Sequence, residues 1–111
     1  MGSSDVYLQS RYTEGSVDKH GIEFDWDEAN IDHVTRHRVQ PEEAEQVILN
    51  HPLDLGMDVI HGEERFLSPG ETSRGRVLLV VTTWREERVR VVTAFEPLKR
   101  LVQFYLRERG T

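Results

Sequence analysis

The run Val77-Leu-Leu-Val-Val-Thr-Thr-Trp84 and the segment Arg88–Phe95 after it constrain this chain more than any other stretch. β-Branched residues crowd both segments, and such side chains fit a pleated strand better than a helix. The tight connection Arg85-Glu-Glu87 between them predicts an antiparallel hairpin. Weaker strand signals surround this pair. Arg65-Phe-Leu67 is a short strand candidate, and Gly70 to Gly75 reads as a loop. Leu53–Ile60 is a mixed run, and Ile22-Glu-Phe24 alternates like a short edge strand.

Three helices are predicted beside the strands. Asp25 and Glu28 have the three-residue spacing of a capping box, so the first helix is expected to begin at Asp25. Trp26, Asn30, His33 and His37 make one stripe on it, and Ile31, Val34 and Arg38 a neighbouring one. Pro41 opens a second helix, with Glu42 and Glu43 in the first turn, where the helix dipole favours negative charge. His51-Pro52 ends it. Pro97 opens the last helix, whose expected packing face is Leu98, Leu101, Val102 and Tyr105. Two helices, then strands, then a helix predict an α+β fold with an antiparallel sheet.

Composition narrows the classes. A chain of 111 residues, 37% hydrophobic and 31% charged, predicts one small domain. Residues 1–21 lack a period and are expected to be a poorly ordered extension before a domain at 22–111. With no cysteine there is no disulfide, thiolate site or cysteine nucleophile, which suits a cytoplasmic protein. No apolar run reaches the length of a membrane span. The net charge of −6 conceals a split: 4 − 15 = −11 over residues 1–64 and 10 − 5 = +5 over residues 65–111. Halves of opposite sign either pair within the fold or present a face to a polyanion or an acidic partner.

Several residues carry candidate chemistry. His33 and His37, four apart, have the spacing of two metal ligands, but no third ligand follows at a known spacing, so neither a metal nor a cofactor is expected. The alternative places His33 against Trp26 and the sheet. His37 lies between Arg36 and Arg38, two cations that disfavour a third charge and leave a neutral ring able to act as a general base. RNA cleavage through its own 2′-hydroxyl needs a base, a cation for the phosphorane charge and an acid for the leaving oxygen. His37, a strand arginine and Tyr105 are the candidates, with Arg36 as a substrate contact. The alternative is a solvated basic helix end. Arg65, Arg76 and Arg90 sit on or beside strands, where an arginine either meets a carboxylate or faces a ligand such as phosphate. Trp84 either stacks a base or belongs to the rim of the core.

The pieces Phe24-x-Trp26-Asp27, Arg36-His37-x-Val39, Glu42-Glu43-Ala44, Glu64-Arg65, Gly75-Arg76, Val80-Val81, Val89-Arg-Val-Val-Thr-Ala94 and Tyr105 occur in an order that resembles the BrnT family. These are ribonuclease toxins of type II toxin–antitoxin systems and look like the RelE group in fold. The resemblance implies metal-independent RNA cleavage that inhibits translation. It also implies a BrnA-like antitoxin partner, through which alone the protein would meet DNA. His37 corresponds to the family's histidine and Arg65 to its strand arginine. Arg90 and Tyr105 complete the expected catalytic set, and Arg36, Arg76 and Trp84 the substrate contacts. Two positions depart from the pattern. Arg38 stands for a glycine, and Phe95 stands where the family carries an arginine. The alternative reading is therefore a non-catalytic protein-interaction module on the same fold.

Overall fold

The structure, a computed structural model, describes residues 16–17 and 21–109. Its centre is the expected hairpin of β5 (Val77–Arg85) and β6 (Arg88–Phe95). The chain reverses through Glu86 and Glu87, at φ 54° and 66°, with Arg85 opposite Arg88. Two residues at positive φ give the turn a twist that matches the strands it joins. β4 (Glu63–Glu71) pairs antiparallel with β5, and β3 (Met57–Ile60) pairs antiparallel with β4. On the other side β2 (Glu23–Phe24) adjoins β6, and β1 (Ser16–Val17) adjoins β2. The order among the described residues is β1-β2-β6-β5-β4-β3.

The fold is α+β, but the sheet is mixed rather than antiparallel throughout. β2 runs parallel to β6 through Phe24 and Val89, and the Asp25 N–H donates to the Val89 carbonyl at 2.8 Å. A two-residue strand carries no pattern from which pairing direction could be read. Nor is it an edge, since β1 covers its outer side. The expectation of a poorly ordered extension over 1–21 falls, apart from β1 and Gly21, outside the described residues.

β4 is three times longer than its Arg65–Leu67 signal and runs through Pro69 and on through Gly70, the expected start of the loop to Gly75. The Pro69 carbonyl accepts from the Leu53 N–H at 2.9 Å. N–H and C=O of one strand residue point to the same side, so the ring nitrogen also faces away from β5 and the ladder loses no donor. Gly70 is a packing residue. A Cβ there would lie 2.9 Å from Val47 Cγ1 and 3.1 Å from Pro52 Cβ.

The helices are α1 (Glu28–Arg36), α2 (Pro41–Leu49) and α3 (Lys99–Arg109). Asp27, not Asp25, caps α1. Its carboxylate accepts from the Ala29 and Asn30 N–H groups, and the Asn30 side chain accepts from the Asp27 N–H. α1 and α2 cover one face of the sheet, where Phe24, Trp26, Val34, Val47, Val80 and Val91 are buried. α3 lies on the other face, since Glu71, which alternates with Gly70 on β4, meets Tyr105 and Arg109. Leu98 is not part of its packing face. It precedes the helix, its carbonyl accepts from Leu101 and Val102, and its side chain is 80% exposed.

α1 ends in a Schellman arrangement. The Val39 N–H donates to the Val34 carbonyl and the Arg38 N–H to the Thr35 carbonyl, both at 3.0 Å, while Val34 and Val39 pack together in the core. Arg38 holds the left-handed position at φ 61°, where a Cβ is penalised. Arg38→Gly is expected to stabilise the protein by about 1 kcal/mol. A rise of roughly 4 °C in thermal midpoint would register this, and an unchanged or lower midpoint would refute it.

Candidate functional site

Beyond β2 the outer edge of β6 is free, and α1 runs along it. Asn30 joins the two: its Nδ2 donates to the Val91 carbonyl at 2.9 Å and to the Asp25 carbonyl at 3.0 Å. β6 also carries a bulge here, because Val81 faces Thr93 while Thr82 faces Val91, leaving Val92 unpaired. Bulges re-aim neighbouring side chains. On the face away from the α1–α2 core, β6 presents Arg90 opposite Thr83 of β5.

Arg90 is only 9% exposed. Its Nη2 donates to Asp27 Oδ1 at 3.1 Å, and its Nη1 lies 3.6 Å from Asp25 Oδ2. Nη1 is fully shielded from solvent yet makes no hydrogen bond. The Arg90 side chain lines a cavity of about 220 Å³ with Glu63, Arg65, Thr83 and Arg85 from the strands and Asn30 and His33 from α1. Arg65 Nε donates to Glu63 at 2.9 Å, and the Thr83 hydroxyl donates to the Glu64 carbonyl at 2.8 Å. Arg85 has no ion-pair partner among the described residues. The His33 and His37 rings lie 5.6 Å apart, and His37 lies 5.9 Å from the Phe95 ring. The rings thus form a line from the cavity to the end of β6.

The structure therefore brings Arg65 and Arg90 together and sets His37 one ring away. It does not bring in the others. Arg36 pairs with Asp32 at 2.8 Å on the outer surface of α1. Arg76 ties α2 to the end of β6 by bonds of 2.9 Å to both Glu43 and Glu96. Tyr105 donates to Glu71 at 3.2 Å, and burial, reinforced by the Glu71 carboxylate, pushes its phenol above the ordinary value. Trp84 is 62% exposed at the tip of β5. Asn30, Glu63, Thr83 and Arg85 line the cavity without having been placed in the site by sequence reasoning, which weighed His33 only as a metal ligand or a packed residue. His33 is exposed at the cavity rather than packed against Trp26, and its i, i+4 relation to His37 was the one available signal. A wider groove of about 560 Å³ runs between α2 and the turn after β4, lined by polar residues such as Gln46, Asn50 and Ser73 with no cation. Among the described residues no three His, Asp or Glu side chains form a metal-binding group, and no helix is long and apolar enough to cross a membrane.

Much of the charge split resolves inside the fold. Arg76–Glu43, Arg88–Glu23 and Arg90 with Asp25 and Asp27 all join the basic half to the acidic one. The hydrogen bond from Arg90 holds the Asp27 carboxyl below the ordinary 3.8, with its bonds to the α1 amides assisting. A lowered folded value stabilises the protein above the unfolded value and loses that contribution as pH falls through the folded one. Asp27→Asn retains a capping oxygen but removes the charge. Its thermal midpoint is expected to fall less steeply than that of the wild type between about pH 4 and pH 2. Equal slopes would show that the Arg90 contact contributes nothing to acid stability.

The cavity sets three arginines and the Glu63 carboxylate around one space, with an imidazole on its rim. Such an arrangement can bind a phosphate and transfer a proton beside it. No curated protein matches the chain. The sequence model of the family described as the ribonuclease toxin BrnT of type II toxin–antitoxin systems matches residues 26–97. That match runs from Trp26 to Pro97 and includes every cavity residue, and the chain belongs to the BrnT family of ribonuclease toxins of type II toxin–antitoxin systems, which implies an antitoxin partner.

Proposed function

We propose that this protein is a metal-independent endoribonuclease that cleaves cytoplasmic RNA at the Arg65–Arg90 cavity, inhibits translation and is neutralised by a BrnA-like antitoxin. The observation that supports it best is the cavity that Arg90 shares with Arg65 and Arg85, three cations against the single carboxylate of Glu63. In this reading the scissile phosphate sits among Arg65, Arg85 and Arg90, which stabilise the extra charge of the phosphorane. His37 or its neighbour His33 takes the proton from the 2′-hydroxyl, and the other imidazole, protonated, supplies one to the leaving 5′-oxygen. Tyr105 supports α3 through Glu71. Contact with DNA would come only through the antitoxin. The three-layer arrangement fits the RelE-like architecture expected of the family.

A second reading, a non-catalytic binding module, draws on Phe95, which meets His37 with an uncharged ring at the end of β6. Expression of the chain alone decides between them. Growth arrest with RNA degradation is expected, and Arg65→Ala or His37→Ala should each lower cleavage by about 100-fold and relieve the arrest. Cleavage should persist in a metal chelator. Harmless expression and intact RNA would leave the binding module as the function.

A further inference from the structure

β3 is the outermost strand of the sheet beyond β4, and its Asp58 and Ile60 pair with the cavity residues Arg65 and Glu63. Leu55, Met57 and Val59 leading into and along it are exposed by 39%, 48% and 58%. Their two-residue spacing sets Met57 and Val59 on one face, opposite Phe66 and Glu64 of β4. Apolar side chains in series on an open strand edge invite another strand. The backbone agrees. The Val59 N–H donates not to β4 but to the carboxylate of Asp58 at 2.9 Å. In an antiparallel ladder alternate residues turn both polar groups outward, so Met57 shares the outward orientation of Val59.

The charge on this edge selects the occupant. Asp54, Asp58, Glu63 and Glu64 surround the apolar series against one cation on the facing part of β4, Arg65, which stands opposite Asp58 and is bonded to Glu63, so the edge stays net negative. A second copy paired antiparallel about Asp58 would set two Asp58 carboxylates face to face, which destabilises a strand pair. A segment with lysine or arginine opposite Asp58 and apolar residues on either side reverses that sign. It also draws the carboxylate away from the Val59 N–H and frees that donor for the new ladder.

We propose that β3 is a strand-addition site for an extended segment of the antitoxin in which basic and apolar residues alternate. The identity of the partner rests on the toxin–antitoxin reading; the strand chemistry does not. The added segment lies one strand away from the cavity residues Glu63 and Arg65, and what the rest of the antitoxin chain covers completes the neutralisation.

Two measurements test this. A seven-residue peptide of alternating valine and lysine should bind the intact protein at least about tenfold more tightly than one of alternating valine and glutamate. Its binding should slow amide exchange at Met57 and Val59, and Met57→Lys with Val59→Lys should abolish it without lowering the thermal midpoint. Equal affinity of the two peptides, or protection confined to other elements, overturns the strand-addition site whatever the catalytic activity proves to be. With the co-expressed product of the adjacent antitoxin gene, the same double variant should weaken the complex at least about tenfold. An unchanged complex overturns the assignment of the antitoxin as occupant, while RNA cleavage by the chain alone reports separately on the ribonuclease.

Discussion

Replacing Arg90 with methionine is expected to lower folding stability by about 3 kcal/mol, near the low end for removing one partner of a buried pair. The reason is what remains behind. Asp25, with 13% of its side chain exposed, would keep a charge with no cation beside it, whereas Asp27, at 51%, can turn to water. The thermal midpoint should fall by roughly 12 °C. Asp25→Asn in the same chain should recover most of that loss, because a neutral amide does not need the cation. If Arg90→Met costs less than about 1 kcal/mol, the ion pairs contribute little and Arg90 is retained for its ligand alone. Arg90→Lys separates the roles further. It keeps the charge but not the fork that reaches Asp27, so stability should fall by less than in Arg90→Met.

Trp26→Ala should be the most destabilising single change, by about 4 kcal/mol. The ring is 1% exposed, sits between β2 and α1, and donates from Nε1 to Glu45 of α2 at 2.8 Å. The residue thus joins three elements through one side chain. Trp26→Phe keeps most of the apolar volume but removes the donor to the Glu45 carboxylate, and should cost about 2 kcal/mol. Denaturant titration separates the two variants. If Trp26→Phe is neutral, the hydrogen bond is not what holds α2 against the sheet.

The hairpin of β5 and β6 was legible from its β-branched run, and so were α2 from its Pro41 start and α3 from its packing period. These are local signals. The misreadings share one cause. β4 continued through Pro69 and Gly70 because Leu53 and Val47 lie beside them, neighbours 16 and 23 positions away in the chain. The cap of α1 moved from Asp25 to Asp27 because Asn30, not Glu28, closes the box, and Asn30 is held by Val91. The Glu86-Glu87 turn lacks the glycine or asparagine that usually marks two positive φ values, so its geometry comes from the strands on either side.

The site divides along the same line. His37, Arg65 and Arg90 were legible as residue types on strands and helix ends, and the order of motifs pointed to the family that the match over 26–97 bears out. Only the tertiary structure decided which arginines share a cavity. An arginine looks alike in sequence whether its carboxylate partners hold it between α2 and the end of β6, as Glu43 and Glu96 hold Arg76, or at the cavity, as Glu63 holds Arg65. Periodicity and turn chemistry act over a few residues and are written in the chain. Partners and burial depend on sheet register and on which helix covers which edge, and those are set only when the distant segments meet.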